Sequence, residues 1–270
     1  MIIKVKKRQT YIYTGARDFV PGQPSIVFIH GNGLDHTVWL LYSRYFAHHK
    51  RNALAVDLPG HGRSQGPPLE AITDMADWIA EVLNAMKIDQ CAIVGHSMGS
   101  LVALEAAARH PQRFTRLCLL ATAVPMTVSV PLLDAARQNR HTAFDMINLW
   151  GHSHHGQVGG NQAPGMWMSG LAIRLLERSG PGVLYAGLNA CNEYKHGMDS
   201  AARVQCPTLM ILGQLDAMTP VRMAHALETV IPNVQCSILE DCGHMLMAEK
   251  PNQVLDLLIE FLENRGQYTY

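Results

Sequence analysis

Cys91-Ala-Ile-Val-Gly-His-Ser-Met-Gly-Ser-Leu-Val-Ala-Leu-Glu-Ala-Ala-Ala-Arg109 contains a strand, a reversal and a helix with nothing between them. Cys91–Val94 is apolar on both faces, as a strand buried inside a parallel sheet must be. Leu101–Arg109 is dominated by Ala, Leu and Glu, which are strong helix formers. Gly95-His-Ser-Met-Gly99 has to turn the chain from one into the other. A turn that tight forces its central residue into strained backbone and needs small residues two places before and two after. Gly95 and Gly99 meet that need. The Ser97 hydroxyl is then raised at the C-terminal edge of the sheet, above a helix N-terminus whose dipole and free N–H groups favour negative charge. Ser97 is the predicted nucleophile.

On either side of this run, short β-branched runs alternate with helix-length amphipathic segments. Ile2–Lys6 and Tyr11–Thr14 suggest an opening hairpin, and Ser25–His30, Ala53–Asp57, Arg116–Ala121, Pro207–Leu212 and Val234–Leu239 read as further strands. Helical patterns occupy about 36–48, 72–87, 98–110, 219–229 and 251–264. This rhythm predicts an α/β fold with a mostly parallel sheet and helices on both faces. One segment lacks it. From about Val124 to Ala202 there are only helical pieces, at 131–150, 168–178 and 182–192, around a Gly/His/Pro-rich stretch from Gly151 to Gly165. The expected organisation is a core of residues 1–123 and 203–270, with 124–202 inserted as a helical cap.

A serine hydroxyl needs a base, and the base needs an orienting acid. Among the 14 histidines, His244 in Asp241-Cys-Gly-His244 follows strand 234–239, at the same sheet edge as Ser97. Asp216 follows strand 207–212 in the same way, and Thr219 before Pro220 is the better helix cap there. Asp199 and Asp241 are weaker acids for this role, the first lying in the insertion and the second too close to His244 in one loop. The order Ser97, Asp216, His244 suits such a sheet. The oxyanion donors are expected to be the backbone N–H groups of Met98 and of Asn32, the latter in the Gly-rich loop His30-Gly-Asn-Gly33. His30 is read as a structural histidine tying two loops.

The set His30-Gly-Asn-Gly33, Asp57-Leu-Pro-Gly-His-Gly-Arg-Ser64, Gly95-His-Ser-Met-Gly99, Asp216-Ala-Met-Thr-Pro220 and Gly243-His244 resembles the α/β-hydrolase fold superfamily. Within it the chain is similar to the small capped serine esterases, including carboxylesterases and the pimeloyl-carrier methyl ester esterases, and to the related carbon–carbon hydrolases. The resemblance implies an eight-stranded sheet, a helical cap and no cofactor. Haloalkane dehalogenases and epoxide hydrolases place an aspartate where this chain has Ser97. Proline iminopeptidases carry Gly-Gly-Ser-Trp-Gly at this turn, and meta-cleavage hydrolases usually Gly-Asn-Ser-x-Gly. An ester, thioester or lactone carbonyl is therefore the simplest substrate. The alternatives are carbon–carbon hydrolysis and a hydrolase-fold binding protein with little turnover.

The insertion should supply most of the acyl pocket, with Met126, Trp150 and Trp167 as expected lining residues. Without a Lys or Arg cluster there, an apolar, adaptable pocket for uncharged short-to-medium acyl or aromatic esters is expected. His152, His154 and His155 lack the i, i+4 spacing of a helix-borne metal site and read as part of a solvated lid loop, so no metal is expected. Across 270 residues, 22 Lys+Arg balance 22 Asp+Glu, and only 16% are charged. That neutrality argues against a nucleic-acid or anionic-membrane partner. The six scattered cysteines read as reduced thiols, the N-terminus has no signal-peptide pattern and no apolar run could span a bilayer. A cytoplasmic monomer or homodimer acting on a small molecule is expected.

Overall fold

The central apolar runs, Ser25–Ile29, Asn52–Val56, Cys91–His96 and Thr208–Gly213, assemble into one sheet because each buries both faces. The computed structural model describes residues 1–160 and 165–263. Its strands are β1 (Ile2–Val5), β2 (Arg8–Tyr13), β3 (Ser25–Ile29), β4 (Asn52–Val56), β5 (Cys91–His96), β6 (Phe114–Leu120), β7 (Thr208–Gly213) and β8 (Val234–Leu239). They lie side by side in the order β1-β2-β4-β3-β5-β6-β7-β8. The β1–β2 and β2–β4 pairs are antiparallel, and every other pair is parallel. The sheet therefore has the expected eight strands and mostly parallel character.

The helices are α1 (Leu40–His48), α2 (Ile72–Met86), α3 (Met98–Arg109), α4 (Val130–Arg137), α5 (Thr142–Gly151), α6 (His154–Gln157), α7 (Met168–Glu177), α8 (Val183–Glu193), α9 (Gly197–Ala202), α10 (Val221–Val230), α11 (Leu246–Glu249) and α12 (Pro251–Glu263). Successive strand residues point to opposite faces. Val27, Ile29, Ile93, Leu117 and Leu119 accordingly pack with α2, α3 and α10. Ile26, Phe28, Val94, Cys118 and Leu120 pack instead with Tyr42 and Phe46 of α1 and Leu258 and Phe261 of α12. Two helical layers thus explain why the strands read as continuously apolar instead of alternating.

Between β6 and β7 the described residues form helices α4 to α9 and no strand. A separate apolar cluster joins α4, α5, α7 and α8 to Leu34 of the core. The far end of this segment packs differently: Ala190, Cys191, Tyr194 and Ala201 belong to the α2–α3 side of the main core. Buried Glu105 of α3 accepts hydrogen bonds from the hydroxyls of Tyr194 and Ser200, both 2.6 Å, and so ties α9 to the sheet layer.

Three local expectations change. The helix expected over 131–150 is two helices, because Asn139 between α4 and α5 takes a left-handed conformation (φ 50°) and its side chain accepts from the Gly182 N–H at 2.8 Å. Asparagine tolerates that conformation better than most residues. The stretch read as a solvated lid loop from Gly151 contains α6, whose first turn is capped by Ser153 accepting from the Gly156 N–H. Its residues 161–164 lie outside the described residues. Finally, α10 starts at Val221, and the Thr219 side chain does not cap it.

Candidate active site

Strand β5 ends at His96 and α3 begins at Met98, so Ser97 alone makes the reversal. Its backbone sits at φ 53°, ψ −122°, a strained conformation for a residue with a side chain. Its surroundings impose the strain. The Ser97 N–H donates to the Leu120 carbonyl at 2.9 Å, and the Ser97 carbonyl accepts from the Ser100 N–H at 2.8 Å and the Ser100 hydroxyl at 2.6 Å. A Cβ on Gly95 would collide with the Gly99 carbonyl, and one on Gly99 with the Ile29 carbonyl. Both obstacles are backbone and cannot rotate away. Gly95→Ala is therefore expected to cost at least ~4 kcal/mol or to prevent folding. Gly180→Ala, where the nearest atom would be 3.7 Å away, should be close to neutral. Urea unfolding of the two variants checks this, and equal midpoints would contradict it.

The loops after β7 and β8 are zipped together, with the Gln214 N–H on the Leu239 carbonyl at 2.9 Å and the Leu215 N–H on the Cys242 carbonyl at 2.8 Å. This pairing brings Asp216 to His244. His244 Nδ1 lies 2.8 Å from Asp216 Oδ2, with the two residues 4% and 5% exposed. A carboxylate only accepts, so Nδ1 carries the proton and Nε2 is left as the basic nitrogen. Asp216 is fully engaged: Oδ2 also accepts from the Thr219 hydroxyl at 2.6 Å, and Oδ1 accepts from the Met218 and Thr219 N–H groups, both at 2.8 Å. Burial alone would raise its pKa. The charge and hydrogen bond of His244, with the Thr219 hydrogen bonds, outweigh that and lower it to about 2. Thr219, read from sequence as a helix cap, instead holds the carboxylate. The Asp-x-x-Thr spacing was the available signal.

The loop after β3 lies against Ser97: a Cβ on Gly31 would be 3.3 Å from Ser97 Cβ. Asn32 Nδ2 donates to the Leu184 carbonyl at 2.7 Å, which commits that side chain to α8. The backbone N–H groups of Asn32 and Met98 have no acceptor among the described residues. His30 links loops as expected, since its Nε2 accepts from the Leu58 N–H at 3.1 Å. His96, which sequence reading left without a role, donates from Nε2 to the His244 carbonyl at 3.0 Å and so braces the loop carrying that histidine.

A cavity of about 370 Å³ opens over Ser97 and His244. Its wall includes Asn32, Met98, Met126 and Trp150 and, among the described residues, contains no Asp, Glu, Lys or Arg. Trp167 is a correction. It is 72% exposed and outside the cavity wall, its indole lying over Gly170 at the start of α7. Trp150, on the inner side of α5, is the tryptophan at the cavity. His152 is a second correction: it is 4% exposed and lines the cavity instead of belonging to a solvated loop.

Among the described residues, the group whose ligand atoms are close enough to hold a metal is Asp35, His36 and Asp57. These atoms already serve the fold: Asp57 accepts from His36 and from the N–H groups of His36 and Arg63, and Asp35 accepts from Thr37. No described helix is long and apolar enough to cross a membrane. All six cysteines are unpaired, and burial raises their thiols.

Residues 24–251 match the family model of the alpha/beta hydrolase fold. The chain belongs to the α/β-hydrolase fold family. It is 30% identical over 254 residues to a pimeloyl-[acyl-carrier protein] methyl ester esterase of Aromatoleum aromaticum, covering 87% of this chain and 97% of that one. It is 23% identical to an (E)-2-((N-methylformamido)methylene)succinate hydrolase of Acinetobacter baylyi, covering 90% and 91%. The enol-lactonase structure from Burkholderia xenovorans shares the fold with a TM-score of 0.87 at 20% identity, over 98% of this chain and all of that one.

Burial is also expected to make this α/β hydrolase acid-sensitive. It pushes His61 and His96 down to about 3, with neighbouring histidine charge adding to the effect, and lowers His30 in the same direction. These rings are neutral when folded but take protons in the unfolded chain below about pH 6.5. Stability should therefore fall as pH drops through 6.5 and keep falling toward 3. His141, raised by Glu177 and Asp145, acts in the opposite sense but is exposed and solvent-screened. Unfolding midpoints measured between about pH 7 and 4 should show net proton uptake on unfolding. A flat profile would contradict buried neutral histidines.

Proposed function

We propose that this chain is a serine-dependent hydrolase, a carboxylesterase in the broad sense, that cleaves an ester, thioester or lactone of a small uncharged substrate through an acyl-enzyme. The observation that carries the proposal is the buried His244, paired at 2.8 Å with Asp216 behind it and sharing a cavity wall with the strained Ser97. Ser97 Oγ attacks the carbonyl carbon while His244 Nε2 takes its proton, and Asp216 steadies the imidazolium. The N–H groups of Met98 and Asn32 stabilise the oxyanion. Collapse of the tetrahedral intermediate releases the alcohol or thiol with the proton from His244. Water, deprotonated by His244, then frees the acid and restores Ser97.

The esterase relatives support the carbonyl chemistry, and the wall without charged residues supports a neutral acyl group. Segment 124–202 is proposed to act as the cap, with Met126 and Trp150 contacting the acyl chain. The buried thiols suit a cytoplasmic setting.

A panel of p-nitrophenyl esters alongside a dicarboxylate monoester tests the reading. The expected result is kcat/KM of ~10⁴ M⁻¹ s⁻¹ or more on the best neutral ester, with the charged monoester slower by ~100-fold. Rapid cleavage of the monoester with no turnover of the neutral panel would overturn it.

A further inference from the structure

Asn32 Oδ1, His96 Nδ1, Asn148 Oδ1 and His152 Nε2 are buried at the cavity residues without a hydrogen-bond partner among the described residues. A buried polar atom without a partner is costly, so each calls for an explanation. Two belong to the reacting end. A Cβ on Gly31 would be 2.9 Å from His96 Nδ1, and Asn32 Oδ1 packs against Gly187 beside the Met98 sulfur. The other two come from α5 and the corner that follows it.

Asn148 and His152 are four residues apart, which stacks them on one side of the helix end. His152 Nδ1 lies 2.9 Å from the Asn148 carbonyl, which can only accept. The proton is therefore on Nδ1, and in the neutral ring Nε2 is a bare acceptor. Asn148 Oδ1 is an acceptor as well.

This corner is also held rigidly. The Met245 N–H donates to the Gly151 carbonyl at 2.9 Å. The buried Glu249 carboxylate accepts from the Ser153 N–H at 3.3 Å and from the Gly243 N–H at 3.1 Å. The residues flanking His152 are thus fastened to the loop whose Gly243 and Met245 flank His244. A polar atom on so fixed a mount can discriminate between ligands, because little ordering remains to be done on binding.

Two fixed acceptors call for a donor. They disfavour a carboxylate, and the wall's described residues offer no counter-charge for an ammonium group. A hydroxyl meets both conditions, with its one hydrogen shared between the two acceptors or alternating between them. We propose that His152 Nε2 and Asn148 Oδ1 form a specificity subsite that recognises an uncharged hydroxyl on the substrate, away from the scissile carbonyl. The preferred substrates are then hydroxylated esters in place of purely hydrocarbon ones. The proposal rests on the hydrolase reading above and narrows its substrate class.

The test compares isosteric pairs in which a terminal methyl is replaced by hydroxyl, such as ethyl heptanoate and ethyl 6-hydroxyhexanoate, across chains of about four to eight carbons. The readout is the ratio of kcat/KM, hydroxyl over methyl. In the wild type it should reach ~10 at one chain length or more. His152→Leu and Asn148→Leu should each lower that ratio ~10-fold, and His152→Gln, which keeps an acceptor, should restore part of it. A wild-type ratio of one or less at every length, or a ratio unmoved in both leucine variants, would overturn the proposal. If one leucine variant fails to fold, the other and His152→Gln decide the matter.

If no ester is turned over and no fluorophosphonate adduct forms, the hydrolase reading fails separately. Calorimetric binding of the same pair to Ser97→Ala then judges the subsite alone. A ~10-fold preference for the hydroxyl ester, lost in the His152→Leu double variant, supports it. Equal binding sinks it.

Discussion

Ser97→Ala is expected to lower kcat/KM by about 10⁶-fold while leaving the fold intact. Everything else in the proposed machinery acts on the bond that Ser97 Oγ forms, so removing that atom leaves only binding and oxyanion stabilisation. The fold should survive because backbone contacts impose the Ser97 conformation: the Leu120 carbonyl, Ser100 and the two glycines on either side. Alanine meets the same backbone strain as serine, so the melting temperature should change by only a few degrees. The companion measurement is labelling with a fluorophosphonate. Wild type should take one adduct, on Ser97, and the variant none. A folded wild type that takes no adduct would remove the covalent mechanism and favour a binding protein.

Asp216→Asn is expected to lower kcat by about 10⁴-fold, more than its near-identical shape suggests. Asp216 accepts four hydrogen bonds, from His244 Nδ1, the Thr219 hydroxyl and the N–H groups of Met218 and Thr219. An asparagine can oppose only part of that set. Two fixed backbone N–H groups will hold its oxygen, which turns its NH₂ toward His244. Nδ1 must then accept, so the ring proton moves to Nε2, where it blocks the proposed abstraction of the Ser97 proton. Thr219→Val, which removes one hydroxyl and leaves the carboxylate, should cost far less, ~10-fold.

The same substitution has a pH signature. The folded carboxyl titrates at about 2, below its unfolded value, so its stabilising effect is complete above about pH 4 and is lost as pH falls toward 2. The stability gap between wild type and Asp216→Asn should therefore narrow over that window. A gap that is constant in pH would mean that the anion is not what the site stabilises.

Much of the fold was legible because its signals are local. The run from Cys91 to Arg109 carries its strand, turn and helix in consecutive residues, and the small residues it demands are Gly95 and Gly99. Asp216 and His244 could be nominated because each follows a parallel strand, and parallel strands deliver their C-terminal loops to one edge. The break of α4 from α5 was missed because the left-handed turn at Asn139 depends on a bond to Gly182, which is distant in sequence.

The helical segment between β6 and β7 was least legible. Helical periodicity identifies an apolar face but not what that face meets, and so Trp167 and Trp150 looked equivalent although only Trp150 reaches the cavity. His152 sat in a stretch whose composition resembles a solvated loop. Its burial follows from Glu249 and Met245, almost a hundred residues later, and no local rule connects them. The strands, the strained turn at Ser97 and the loops that carry Asp216 and His244 can thus be read from residue order alone, since those depend on spacing and on backbone sterics between neighbours. Which residues line the cavity, and which polar atoms are engaged or left without a partner, emerge only once the chain is packed, because burial and hydrogen-bond satisfaction are properties of contacts between distant segments.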